Sequence, residues 1–312
     1  MGGRWNLIHC LLDSFAFLLN QRRCPVDYRP LYFGAWNVPI SWDENHELTY
    51  FSTDLSPQSF VQDFTETYGE AIDMFLFKSK NFNFDSLHNS MPENINDKRV
   101  IACVDLFYLN YPNRCYKIKH RPHLVIIEQE TKDYCRIVDS YFNWSGSVPH
   151  ADIASSFIEA TMWFTLDTGK LHSPTKENVL RKLADSCLNF DNELSSVVSR
   201  NLSEAIELGG TEKVMKEISK KLSQLGVLAK RKKAYEYAFS YLSETMKLNL
   251  DLNEERMKIL QTGWSSLAFL IVKLGINGKV EDLNRLLDKV ENLANLESEI
   301  KADLLLICKK AI

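Results

Sequence analysis

The sequence predicts two regions of different class: an α+β domain over residues 1–170 and an all-helical domain over residues 171–312. Three observations carry this reading. Of 35 aromatic residues 28 lie in residues 1–170, and eight of the nine prolines precede residue 150, so packed rings and turns concentrate in the first part. Runs rich in β-branched residues at 100–106, 123–128 and 134–139 have the composition of strands. After Pro174 the chain is rich in Leu, Lys, Glu and Ser, with apolar residues at helical spacing.

Leu11, Leu12, Phe15, Leu18 and Leu19 share one helical face that ends before Arg22-Arg23 and Pro25, and Cys10 stands at the start of that helix. Strand-like runs follow at 31–36, 48–53 and 72–77, with a helix at 57–68 between the second and third. In the second part helices are expected at 176–188, at 193–208 with a stop at Gly209-Gly210, at 212–225 and at 230–249. Met257, Leu260, Trp264, Leu267, Ile271 and Leu274 step by three and four, Leu283, Leu286, Val290 and Leu293 repeat the pattern, and a last helix covers 297–310. About seven helices make a bundle, and no fixed period points to a solenoid.

With 45% hydrophobic and 25% charged residues, the 312-residue chain has an ordinary globular composition. A formal net charge of -4 gives no overall attraction to nucleic acid or to an anionic membrane, so neither is expected as a partner. No uninterrupted apolar run reaches the ~18 residues of a membrane span, and the first apolar stretch is too short for an export signal. A cytoplasmic location follows as the expectation. Seven cysteines at 10, 24, 103, 115, 135, 187 and 308 fit it, being odd in number and without a CxxC pair. There is no GxxxxGK[ST] or GxGxxG segment for a nucleotide.

Chemistry concentrates at three residues. If strands 123–129 and 133–139 form a hairpin around Glu130-Thr131-Lys132, His123 opposes Asp139 on one face, within hydrogen-bonding reach. Cys10 at a helix N-terminus meets the positive end of the dipole and unpaired N–H groups, which favour a thiolate and can hold an oxyanion. Singly, each has a plain role: a small core thiol, a strand cap after Pro122, a turn-initiating carboxylate. Jointly they suit a nucleophile, a general base and acid, and a group that fixes the imidazole tautomer. His120 and His123 also form an H-x-x-H pair, but Pro122 breaks any helix there, so no metal site is expected.

The segments Ile8-His9-Cys10, Val100-Ile101-Ala102-Cys103-Val104-Asp105-Leu106-Phe107-Tyr108-Leu109-Asn110-Tyr111, His123-Leu124-Val125-Ile126-Ile127 and Val138-Asp139 resemble the N-terminal domain of the butirosin acyltransferase BtrH family, over about residues 5–166. Within that group the chain looks most like the aryl transferases of petrobactin siderophore biosynthesis. The resemblance implies a papain-like domain that moves a 3,4-dihydroxybenzoyl group from an acidic aryl carrier protein to spermidine or citryl-spermidine. Cys10, His123 and Asp139 match the catalytic places. No cofactor is implied beyond the phosphopantetheine arm that the carrier brings.

Trp5, Tyr108, Tyr111 and Tyr141, with Phe142 and Trp144, would line a dry aryl pocket, and Asp105, with Glu128 and Glu130, would face the polyamine acceptor. Two departures from the family pattern stand out: the histidine strand runs on as Ile127-Glu128-Gln129-Glu130 without a glycine turn, and no glutamine precedes Cys10. Asn6 is the nearest side chain, so the backbone N–H of Cys10 is the expected oxyanion donor. The basic stretch Lys213, Lys216, Lys220, Lys221 and Lys230-Arg231-Lys232-Lys233 suits docking of the carrier. The helical part also has faces suited to a homodimer. A cysteine amidase or peptidase on the same scaffold, and a noncatalytic helical interaction protein, are the alternatives.

Overall fold

The computed structural model describes residues 8–21, 26–37, 40–43, 46–49, 57–77, 99–111, 113–131, 133–157, 161–188, 193–247, 252–277 and 282–311. By its internal contacts the chain divides into one unit of residues 1–31 and 58–174 and a second of 32–57 and 175–312. A sheet-containing first region and a helical second region are both present. Residues 32–57 group with the helical unit, which a single boundary near residue 170 does not anticipate.

In the first unit six antiparallel strands form one sheet. They are β3 (Ile72–Phe77), β4 (Val100–Asp105), β5 (Pro122–Glu130), β6 (Tyr134–Asp139), β7 (Trp144–Pro149) and β8 (Thr161–Leu166), in the order β3-β8-β4-β5-β6-β7. Helices α1 (Cys10–Gln21) and α2 (Pro57–Tyr68) share one packed layer, with Phe15 5.2 Å from Phe64 and 5.9 Å from Phe164 of β8. A second buried cluster joins Val100, Ala102, Val104, Val125, Ile127, Ile137 and Trp163 to Ile153 of the short helix α3 (His150–Ser156). Strands β7 and β8 and helix α3 escape the sequence reading. Trp144-Ser145-Gly146-Ser147 alternates in exposure but is too polar to stand out as a strand.

The β5–β6 hairpin corrects the expected register. Glu130 pairs with Cys135 near the tip, Ile127 with Ile137 and Ile126 with Val138 further in, with a bulge between Ile127 and Gln129. Extended, that register sets Asp139 opposite Val125, two residues from His123. A bulge inserts one residue and so restores the parity that a one-residue shift of the tip would destroy. His123 and Asp139 therefore share a face as diagonal neighbours rather than as a direct pair.

The second unit holds a two-stranded pair, β1 (Ser41–Trp42) and β2 (Leu48–Thr49), and the helices α4 (Lys176–Leu188), α5 (Glu193–Glu207), α6 (Glu212–Lys221), α7 (Leu225–Lys230), α8 (Ala234–Met246), α9 (Leu252–Asn277) and α10 (Leu283–Ala311). One continuous α10 replaces the two helices expected over 283–310. Residues 31–36, expected as a strand, instead form a turn at Arg29–Tyr32 followed by Gly34 at φ 89, because Pro30 and the left-handed glycine are both foreign to a ladder. Their rings serve packing: Tyr32 stacks on Tyr237 at 4.3 Å and Trp36 on Tyr235 at 4.2 Å. Beyond Leu48–Thr49, the expected strand at 48–53 lies outside the described residues.

Residues Glu254–Ile276 meet the length and mean hydropathy of a membrane span, at 1.4, which a search for uninterrupted apolar runs does not register. Met257, Leu260, Trp264, Leu267, Ile271 and Leu274 of that stretch are buried within the unit, as the helical spacing predicts. The basic stretch also divides. Arg231 and Lys232 are buried, and the Lys232 ammonium donates to Glu297 at 2.6 Å and to the Trp36 carbonyl at 3.2 Å. The Tyr235 hydroxyl donates to the same Glu297 oxygen at 2.9 Å. Lys220 sits 3.6 Å from Glu47 and Lys221 3.7 Å from Glu204. Half of the expected docking surface is thus core or acid-paired.

Removing one partner of a buried pair strands the other charge. Glu297→Ala should lower the stability of the helical unit by about 3–5 kcal/mol in urea unfolding followed by helical circular dichroism. A loss below about 1 kcal/mol would contradict the pairing.

Candidate active site

The start of α1 is built around two side chains. The carbonyl of His9 accepts the N–H of Asp13 at 2.8 Å, and His9 Nδ1 accepts the N–H of Leu11 at 3.2 Å. Asp13 Oδ2 in turn accepts the N–H groups of Ile8 at 3.0 Å and His9 at 3.1 Å. This reciprocal capping fixes the entry of the chain into the helix. Among the described residues, no hydrogen bond uses the N–H of Cys10. The N–H of a first-turn residue points along the helix dipole, as an oxyanion donor must.

One turn further, the Ser14 hydroxyl donates to the Cys10 carbonyl at 2.7 Å and lies 3.4 Å from the Ser140 hydroxyl, both side chains being buried. Ser140 follows Asp139 directly, so this hydroxyl pair ties the thiol-bearing helix to the carboxylate-bearing strand. Asp13, Ser14 and Ser140 were missed by the sequence reading. The carboxylate three residues into an apolar helix was a capping signal within reach, whereas Ser140 carries no local signal.

His123 Nε2 lies 2.9 Å from Asp139 Oδ2, with Asp139 fully buried and His123 nearly so. With Nε2 engaged by Asp139, Nδ1 is the remaining nitrogen, and the Cys10 thiol is close enough to act on the imidazole's titration. Asp139 is held from three sides: Oδ2 also accepts the Tyr111 hydroxyl at 2.6 Å, and Oδ1 accepts the N–H of Phe142 at 3.0 Å. Burial alone would lower the His123 pKa, but the charge and hydrogen bond of Asp139, joined by the hydrogen bond and charge of Cys10, outweigh it and raise it to about 10. A cationic imidazole beside a sulfur at a helix N-terminus can stabilise a thiolate and later release a proton.

Cys103 lies in the same neighbourhood and is unsuited to that role, since burial, then the charge of Cys10, push its thiol up to about 12.

The remaining expected site residues divide. The Tyr111 hydroxyl donates to Asp139 and its ring stacks on Trp144 at 4.0 Å, so the residue supports the carboxylate. Burial, with the neighbouring Asp139 charge, pushes its phenol well above the ordinary value. Tyr141 and Phe142 do flank the imidazole, with ring centroids 5.6 and 5.2 Å from His123. Asp105 is engaged by protein groups: Oδ1 accepts the N–H of Phe107 and of Arg121, each at 3.0 Å, and Oδ2 lies 2.6 Å from His120 Nδ1. The H-x-x-H histidines thus serve two different carboxylates. Tyr108 lies beside Phe107 and Lys117. Glu128 pairs with Arg136 at 3.1 Å. Trp5 and Asn6, and the side chain of Glu130, lie outside the described residues.

Comparison with known proteins also divides the chain in two. Residues 7–169 match the DUF6005 N-terminal domain and residues 178–310 the DUF6005 C-terminal domain, so the chain belongs to the DUF6005 family. It is 24% identical, over 309 residues, to a protein of Bacillus anthracis named petrobactin synthase, covering 95% of this chain and 93% of that one.

Asp139→Asn should drop the His123 pKa from about 10 to below the ordinary 6.5, because burial then dominates, as read by NMR titration of the imidazole. The sign for stability follows from the raised value. The unfolded imidazole binds its proton only below about 6.5, so what the pair contributes is complete below that pH and is lost as pH rises toward 10. The stability gap between the unaltered protein and His123→Gln should narrow over that window. A gap that widens with pH would contradict the assignment.

Proposed function

We propose that the protein is an acyltransferase of petrobactin-type siderophore biosynthesis, forming an amide from an aryl carrier-protein thioester through an acyl group on Cys10. The observation that carries the reading is the buried His123–Asp139 hydrogen bond, with its imidazole in the electrostatic reach of Cys10 at the N-terminus of a capped helix. The named relative, matching nearly the whole length of both chains, supports the pathway. The order of a helix-borne thiol followed by a strand-borne imidazole and carboxylate supports a papain-like domain.

In this mechanism the Cys10 thiolate attacks the thioester carbonyl while its oxygen takes negative charge facing the Cys10 N–H. Collapse expels the phosphopantetheine thiolate, which takes a proton from the His123 imidazolium, and leaves an aryl thioester on Cys10. The amine then attacks that carbonyl. His123, now neutral, accepts the ammonium proton formed there, and the Cys10 thiolate departs as the amide forms. Asp139, held by Tyr111 and Phe142, keeps the imidazole turned toward the sulfur in both halves. One thioester for another is nearly balanced in energy, and the amide makes the second half downhill.

Tyr141 and Phe142, beside the imidazole, are the rings placed to hold a 3,4-dihydroxybenzoyl group and shed water, without which the enzyme would hydrolyse its intermediate. A polyamine such as spermidine or citryl-spermidine is the acceptor, and an acidic carrier protein the donor partner. Lys213 and Lys216, exposed on α6, are among what remains of the expected docking surface, with Lys230 and Lys233.

Intact-protein mass spectrometry tests the reading. Mixed with 3,4-dihydroxybenzoyl-loaded carrier protein, the unaltered protein should gain the mass of one aryl group, and spermidine should remove it with appearance of the amide. Cys10→Ala should gain nothing and lose at least about 10³ in turnover. Amide formation by Cys10→Ala at the unaltered rate would overturn the acyl-enzyme.

A further inference from the structure

Beside β4, apart from Cys10, His123 and Asp139, a cation is enclosed by aromatic rings. The Lys117 ammonium lies 5.1 Å from the centroid of Phe107, 5.0 Å from Tyr108 and 5.5 Å from Tyr116. Each distance is within the range over which a ring quadrupole attracts a cation. Phe107 and Tyr108 meet edge to face at 5.2 Å, and His120 lies flat on Phe107 at 4.2 Å, which continues the ring wall toward Asp105. Tyr116 is exposed, as is Lys117, so the enclosure opens to solvent.

The backbone of Lys117 is strained. Its φ of 55 lies in the left-handed region, and its N–H donates to the Phe107 carbonyl at 2.9 Å, which holds the residue above the rings. A residue with a Cβ is disfavoured there. An exposed lysine has many rotamers in water, so holding this one over three rings also costs side-chain entropy. What the rings offer is therefore specific for a cation on an alkyl chain. An ordinary aromatic core would exclude the ammonium.

We propose that Phe107, Tyr108 and Tyr116 form a binding site for a primary alkylammonium group, which Lys117 fills in the free protein and an amine ligand takes by displacing it. The ligand class follows from the ring enclosure. That the ligand is the amine acceptor rests on the transferase reading above: a polyamine must place a second ammonium while its reacting nitrogen meets the acyl group. Lys117 then acts as a stand-in that keeps the rings apart and hydrated on one side until the acceptor arrives.

The test is titration of n-propylammonium and spermidine, without any acyl donor, into the unaltered protein, Lys117→Ala, Lys119→Ala and Lys117→Ala/Tyr116→Leu, followed by calorimetry or by aromatic NMR shifts. Lys119 is an exposed neighbour. Lys119→Ala therefore controls for the loss of one positive charge. Lys117→Ala should tighten both ligands about fivefold or more, Lys119→Ala should leave them within about twofold, and loss of the Tyr116 ring should cancel the gain. n-Propanol should bind no variant better. A gain that Lys119→Ala reproduces, that survives loss of Tyr116, or that n-propanol shares would overturn the site, as would no gain at all. Because no acyl group takes part, the site can stand if no aryl adduct forms on Cys10, and it can fall while the adduct forms.

Discussion

The contact between His123 and Asp139 sets the terms for the rest of the first unit. A buried carboxylate costs several kcal/mol unless donors surround it, and here a phenol, a backbone N–H and an imidazole do so. Each donor fixes another element. Tyr111 brings the segment after β4 against Trp144, Phe142 closes the turn into β7, and His123 stands on β5, which packs against α1. The same carboxylate that needs these donors keeps the imidazole charged despite its burial. Stability and chemistry here draw on a single group.

The helix side is held as closely. Asp13 and His9 accept the N–H groups of Ile8, His9 and Leu11, and Ser14 and Ser140 tie that turn to the strand carrying the carboxylate. The sulfur, the ring and the carboxylate are thereby placed by three separate elements with little freedom among them. Such preorganisation is what lets a thiol act repeatedly on one geometry.

Much of this was legible in the residues, for identifiable reasons. Cys10 at the start of an apolar helix and the strands of Val, Ile and Cys residues follow from periodicity and composition, and both elements form as expected. The face shared by His123 and Asp139 was also correct, though for an incomplete reason. The bulge beyond Ile127 was invisible, and it offsets a tip register that would otherwise have turned one side chain away. Tyr111 reads as one more aromatic in an aromatic-rich segment, and only the fold reveals that its hydroxyl meets a carboxylate 28 residues on. In the helical unit the heptad-like spacing of α9 was plain, whereas Lys232 looked like a surface charge because its partner, Glu297, lies 65 residues away. Local patterns carry local structure, and long-range polar contacts leave no trace in them.

The proposed chemistry requires His123 to activate the Cys10 sulfur. The direct measurement is the rate of iodoacetamide alkylation, resolved by cysteine with peptide mass spectrometry, in the folded unaltered protein and in His123→Ala at neutral pH. Cys10, although buried like the rest, should be alkylated well ahead of Cys103, Cys115, Cys135, Cys187 and Cys308, and loss of the imidazole should slow Cys10 at least about tenfold while leaving the others unchanged. Alkylation of Cys10 no faster than theirs, or at the same rate without His123, would contradict it.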